Sequence, residues 1–161
     1  MSNIIVLIDT GVLGILINSE PSKNNKSEVD SCNKWLDGLL AQKIQVAIPE
    51  IADYEQRREL IRRKNQKCLQ RLRDIRSRTS YFKIETEVML KAASIWAYAR
   101  QQGQPTADNK ALDGDAIIAA QAVIAKAAGI YIEIATTDVE DLNRLLAPHF
   151  IAAKRWKDII I

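Results

Sequence analysis

Five short apolar runs, separated by longer stretches with helical spacing, organise this chain. Ile4-Ile-Val-Leu-Ile8 is a continuous aliphatic run, as a strand buried on both faces requires. Residues 45–48, 81–84, 130–135 and 149–152 are the other candidate strands. Between them, Val29, Cys32, Leu36, Leu39 and Leu40 share one helical face. Thr86 is placed to cap a helix that runs through Ala92, Ile95, Trp96 and Ala99 and stops at Gly103. A very apolar helix starts at about Asp113, carries Ile117, Ile118, Ala120, Ala122 and Ile124, and stops near Gly129. Strands alternating with helices predict an α/β fold with a mostly parallel sheet flanked by helices on both faces. Right-handed crossovers then bring all strand carboxyl ends to one edge, where open α/β folds bind ligands.

No repeat, low-complexity tract or linker divides the 161 residues, so residues 1–161 read as one domain. With 47% hydrophobic and 27% charged residues the balance is that of a folded globular protein. The apolar start has no basic residue before it and is interrupted by Asp9-Thr10-Gly11, which fits neither a signal peptide nor a membrane span. A cytoplasmic protein is expected. Cys32 and Cys68 belong to no CxxC pair or Cys/His cluster and read as reduced core thiols. His149 reads as structural, and Trp35, Trp96 and Trp156 as core or interface anchors.

The candidate chemistry lies in the acids at the strand ends. Asp9 directly follows five aliphatic residues, and its bland role is the N-cap of the next helix. After Pro49, a helix presents Glu50, Asp53 and Glu55; the helix dipole alone accounts for the first two. Glu55 sits further in and is open either to a site or to an ion pair with Arg58. With Asp113 as the cap of the apolar helix, Asp115 falls among residues of buried type and needs a partner. Asp138 follows the fourth strand, and Asp141, three residues on, is expected outside the site. Clustered carboxylates raise one another's pKa unless a cation neutralises them. An all-oxygen set fits Mg²⁺ or Mn²⁺, which can activate a water and stabilise charge on a phosphodiester.

These segments resemble the motifs of PIN domains. Ile5-Val-Leu-Ile-Asp9-Thr-Gly-Val-Leu13 is similar to the opening motif, and Ile48-Pro-Glu-Ile-Ala-Asp-Tyr-Glu55-Gln-Arg-Arg to the second, with Glu55 in the acidic position. Asp115-Ala-Ile-Ile-Ala-Ala120 resembles the third motif and Thr136-Thr-Asp138-Val-Glu-Asp141-Leu the fourth. The resemblance spans nearly the whole chain. It implies a five-stranded PIN fold and an endoribonuclease of single-stranded RNA, with Asp9, Glu55, Asp115 and Asp138 catalytic and Asp9, Asp115 and Asp138 holding Mg²⁺ or Mn²⁺. It also implies kinship with the VapC toxins of toxin–antitoxin pairs, hence an antitoxin partner and a homodimer.

Residues 57–78 carry ten Lys or Arg against two acids, a surplus of +8 in a chain whose net charge is +3. Ile61, Cys68, Leu72 and Ile75 make one apolar stripe in this stretch. The excess is too large for neighbouring helical pairs to neutralise, which favours phosphate binding through Arg58, Arg62, Arg63, Lys67 and Arg71. An acidic protein partner is the other option. Two alternatives to the nuclease stand beside it. A phosphatase with Asp9 as nucleophile wants a second acid at position 11, where Gly11 stands. A non-catalytic RNA- or protein-binding module of the same fold would use the basic stretch and no metal.

Overall fold

A computed structural model describes residues 4–103 and 111–160. Its centre is β1 (Ile4–Ile8), in a five-stranded parallel sheet of order β3-β2-β1-β4-β5. The other strands are β2 (Gln45–Pro49), β3 (Ser80–Phe82), β4 (Tyr131–Thr136) and β5 (Ala153–Arg155). From β1 the chain steps outward to β2 and β3, then crosses back to β4, so the winding reverses between β1 and β4.

Side chains alternate across each strand, which sends Ile5 and Leu7 into one core and Val6 and Ile8 into the other. On the first face lie α5 (Thr86–Gln101), α6 (Ala111–Ala127) and α7 (Val139–Leu146). The second is covered by α1 (Thr10–Ile17), α2 (Lys26–Ala41), α3 (Glu50–Arg62) and α4 (Gln66–Arg78). Leu7 and Ile8 are fully buried on opposite sides, each contributing about 1.5–3 kcal/mol of transfer free energy. The α/β class and two-sided cover match the hydrophobic pattern. Among the described residues no helix is long and apolar enough to cross a membrane.

Several details differ from the pattern. Thr86, expected to cap α5, is its first helical residue, and Glu85 stands at the cap position without a side-chain cap hydrogen bond. The last strand is Ala153–Arg155, because residues 147–149 form a 3₁₀ turn containing Pro148 and Phe150 takes a left-handed conformation (φ 55°). The third strand likewise begins and ends earlier than expected. Helix α6 begins at Ala111, which makes Asp113 a first-turn residue rather than the cap. The basic stretch is two helices, broken where Lys64 turns left-handed (φ 54°) and Asn65 caps α4 by accepting from the Cys68 amide at 3.0 Å. That break rotates Ile61 out of the apolar stripe: it is 59% exposed, and Leu60 is buried in its place.

The core roles are as expected. Cys32 and Cys68 are buried free thiols, and burial, with Glu28 adding, pushes Cys32 up to about 12. The Trp35 and Trp156 rings lie 5.7 Å apart, and Trp35 Nε1 donates to the Ile159 carbonyl. His149 lies in the 3₁₀ turn, its carbonyl accepting from Lys126 Nζ at 3.0 Å.

Arg71, expected on a phosphate-facing surface, is instead a half-buried tie. Its Nε donates to the Leu16 carbonyl at 2.8 Å and its Nη2 to Asn33 Oδ1 at 2.7 Å, joining α4 to α1 and α2. Arg71→Ala is expected to lower unfolding stability by about 1–3 kcal/mol in urea denaturation, since it leaves two part-buried acceptors unpaired. Unchanged stability would return Arg71 to the solvent-facing set.

Candidate active site

Asp9 serves the fold and the edge at once. Its Oδ1 caps α1, accepting from the Val12 amide at 2.8 Å, and its own amide donates to the Ala135 carbonyl at 3.0 Å. Its Oδ2 accepts from the buried Thr136 hydroxyl, whose oxygen in turn accepts from the Asp138 amide at 3.0 Å. Thr136, which the sequence reading did not single out, therefore ties Asp9 to the turn that carries Asp138. Asp9 is only 8% exposed. Burial raises its pKa, and bonds from Thr136 and the amides of Val12, Thr137 and Gly11 offset this only in part.

The acids of α3 point three ways because the helix advances about 100° per residue. Glu50 Oε2 accepts from the Ile84 amide at 2.5 Å, holding the segment after β3. Asp53, 3% exposed, takes Arg57 in a fork at 2.6 and 3.1 Å, with Arg76 at 4.0 Å. Glu55 reaches the first turns of α6: a Cβ at Gly114 would overlap Glu55 Oε1, so the glycine is what lets the carboxylate approach. Burial raises the pKa of Glu55, the Arg58 charge lowers it, and Asp9 raises it again.

Asp115 is where these charges meet. Its carboxyl is pushed up to about 7, first by burial and then by Asp9, Asp141, Glu55 and Asp138 in that order. Four of the acids singled out at the strand ends thus act on one electrostatic site. The structure adds Asp141, which was expected outside. It is half-buried, 3.7 Å from Arg144, and weighs on Asp115 more than Glu55 or Asp138 does. Its spacing held the signal: three residues past the cap is one turn along the same helical face. Asp138 is exposed, and its Oδ1 caps α7 by accepting from the Glu140 amide at 3.0 Å.

Of the basic residues proposed for substrate, Arg58 is the one beside the acids. Arg62 and Arg63 share Glu59 at 2.5 and 2.7 Å, and Lys67 meets Glu20. All three are exposed pairs that exchange readily with solvent or another anion.

Among the described residues, no three His, Cys, Asp or Glu are grouped closely enough to hold a metal ion as they stand. Nor is Asp9, Glu55 or Asp115 in an ion pair within 4.0 Å among those residues. The donor chemistry fits a hard divalent cation: all-oxygen ligands, excess negative charge and partial burial.

The raised Asp115 carboxyl has a consequence for stability. Between its ordinary value of 3.8 and about 7, the folded state holds a proton that the unfolded chain has released, so stability falls as pH rises through that window. In chelator, Asp115→Asn is therefore expected to melt higher than the unmodified chain at pH 8, by roughly 3–10 °C. The gap should shrink towards pH 4.5. A difference in Tm independent of pH would show that the acids do not share one site.

No family model matches the sequence, and no curated protein matches it. Solved structures do share its fold. VapBC2 from Rickettsia felis, bound to a promoter DNA fragment, is 18% identical with a TM-score of 0.70, over 94% of this chain and 98% of that one. FitAcB from Neisseria gonorrhoeae is 21% identical with a TM-score of 0.62, over 96% and 99%. VapC20 from Mycobacterium tuberculosis, a toxin that cleaves the sarcin-ricin loop, is 15% identical with a TM-score of 0.57, over 93% and 98%. The five-stranded parallel sheet, its helices on both faces and this likeness together give the chain a PIN-domain, VapC-like fold.

Proposed function

We propose that this protein is a metal-dependent endoribonuclease that hydrolyses phosphodiester bonds of single-stranded RNA. The observation that carries the reading is Asp115, a carboxyl held near 7 by burial and by four other acids at the β1/β4 edge. A fold has no structural use for such repulsion, whereas a divalent cation would turn it into binding energy. Asp9, Asp115 and Asp138 would hold Mg²⁺ or Mn²⁺, and Asp141 is added to that neighbourhood. When bound, the ion would supply an activated water and stabilise charge on the phosphodiester.

The chain's own residues set the frame for this chemistry. Thr136 and the α1 amides hold Asp9 in one orientation. Gly114 admits the Glu55 carboxylate to the site, where its raised pKa suits it to take up a proton. Arg58 adds a positive charge beside it, and Arg62, Arg63 and Lys67 can exchange their exposed carboxylate partners for phosphates. Cytoplasmic RNA would be the substrate. The likeness to VapBC and FitAB assemblies supports a toxin of this kind with a cognate antitoxin, and a homodimeric state is part of the same proposal. A non-catalytic module acting through residues 57–78 has less support, because Arg57, Arg71 and Arg76 are drawn into the fold.

Single-stranded RNA should be cut in Mn²⁺ or Mg²⁺ and left intact in chelator. Asp115→Asn should abolish cleavage while leaving RNA affinity equal or tighter, because one negative charge facing the phosphates is gone. Cleavage surviving that substitution would mean the acids are misassigned. Gly114→Ala should lower cleavage by about 10- to 100-fold with little change in Tm, since the added methyl displaces only the flexible end of Glu55. Full activity in Gly114→Ala would remove Glu55 from the reaction.

A further inference from the structure

Tyr54 is the large aromatic nearest the acids in sequence, and the carboxylate chemistry leaves it without a role. It precedes Glu55 directly on α3 and is 55% exposed. Arg58, one turn on, places its guanidinium 5.2 Å from the Tyr54 ring centroid. The same Arg58 is close enough to Glu55 to lower its pKa, so the aromatic–arginine pair stands at the rim of the acidic site. Ile61, 59% exposed after the break at Lys64, extends the exposed Tyr54–Arg58 face of α3 into a stripe one turn longer. An exposed ring braced by a cation, with a further cationic surface beyond it at Arg62 and Arg63, combines the elements that bind single strands: a stacking face and charges for the backbone.

We propose that Tyr54, braced by Arg58, is a stacking platform for an unpaired base of a nucleic-acid strand whose phosphate lies at the carboxylates. This rests on the nuclease reading and adds to it a requirement for an unstacked base beside the cut. Duplex substrates cannot supply that base, so the platform selects single strands at the site itself. Stacking tolerates any base, which makes Tyr54 a positioning residue rather than a reader of sequence.

The test compares two fluorescein-labelled strands of equal length and charge, one a mixed-sequence single strand and one abasic at every position. Anisotropy titrations use Asp115→Asn to prevent cleavage, alone and combined with Tyr54→Ala, Tyr54→Phe or Tyr54→Trp. Tyr54→Ala should weaken binding of the base-bearing strand by about 5- to 100-fold and leave the abasic strand unchanged. Phe and Trp should restore affinity, and Tm should stay constant because the ring is exposed. Equal loss on both strands, or loss on neither, overturns the platform while leaving the nuclease reading intact; the stripe would then belong to a protein partner. If the protein with Tyr54 intact binds neither strand and the unmodified chain cuts no RNA, both readings fall together.

Discussion

The structure turns on negative charge held where water is scarce. Asp9 ends the central strand between two apolar layers, so its carboxylate can remain there only by accepting what the surrounding chain donates: the α1 amides and the Thr136 hydroxyl. Those donors orient Asp9 and offset its burial in part, but do nothing for Asp115, which faces the same edge and feels Asp9, Asp141, Glu55 and Asp138. Parallel topology is the reason these groups meet. Each strand delivers its following residues to one side, and the reversal between β1 and β4 opens the space into which the first turns of α1, α6 and α7 carry their acids.

Helix α3 shows how one short element separates support from chemistry. Glu50 and Asp53 are engaged within the fold, Glu50 by a hydrogen bond from the Ile84 amide and Asp53 by the charges of Arg57 and Arg76. Glu55 is turned the other way, against a glycine that permits close approach, and the cation that acts on it, Arg58, is exposed and stacked on Tyr54. Removing a partner from the Asp53 group would strand a buried charge. The Glu55 side, in contrast, is built so that something from outside can complete it.

The basic stretch has the same division. Its surplus of +8 is real, but Arg71 and Arg76 tie α4 to neighbouring helices and Arg57 is paired with Asp53 within α3. Arg62, Arg63 and Lys67 pair only with exposed acids, and such pairs contribute little to stability. Charge arithmetic along the chain therefore overstates what α4 offers a ligand and describes α3 more faithfully.

The sequence by itself determined the α/β class, the central all-aliphatic strand and the gathering of Asp9, Glu55, Asp115 and Asp138 at one edge, because these follow from local periodicity and from the handedness of crossovers. It also determined the two buried free thiols, since isolated cysteines on apolar helical positions pack as small core residues. Tertiary structure alone decided what each acid on α3 faces: the Ile84 amide for Glu50, Arg57 and Arg76 for Asp53, and Gly114 for Glu55. It set Asp141 where its charge acts on Asp115, and it drew Arg71 into hydrogen bonds with Leu16 and Asn33, residues 55 and 38 positions away. It also exposed Ile61, because a single left-handed residue at Lys64 resets the helical phase that periodicity assumes to be continuous. Orientation of a side chain depends on partners distant in sequence, and no pattern along the chain encodes them.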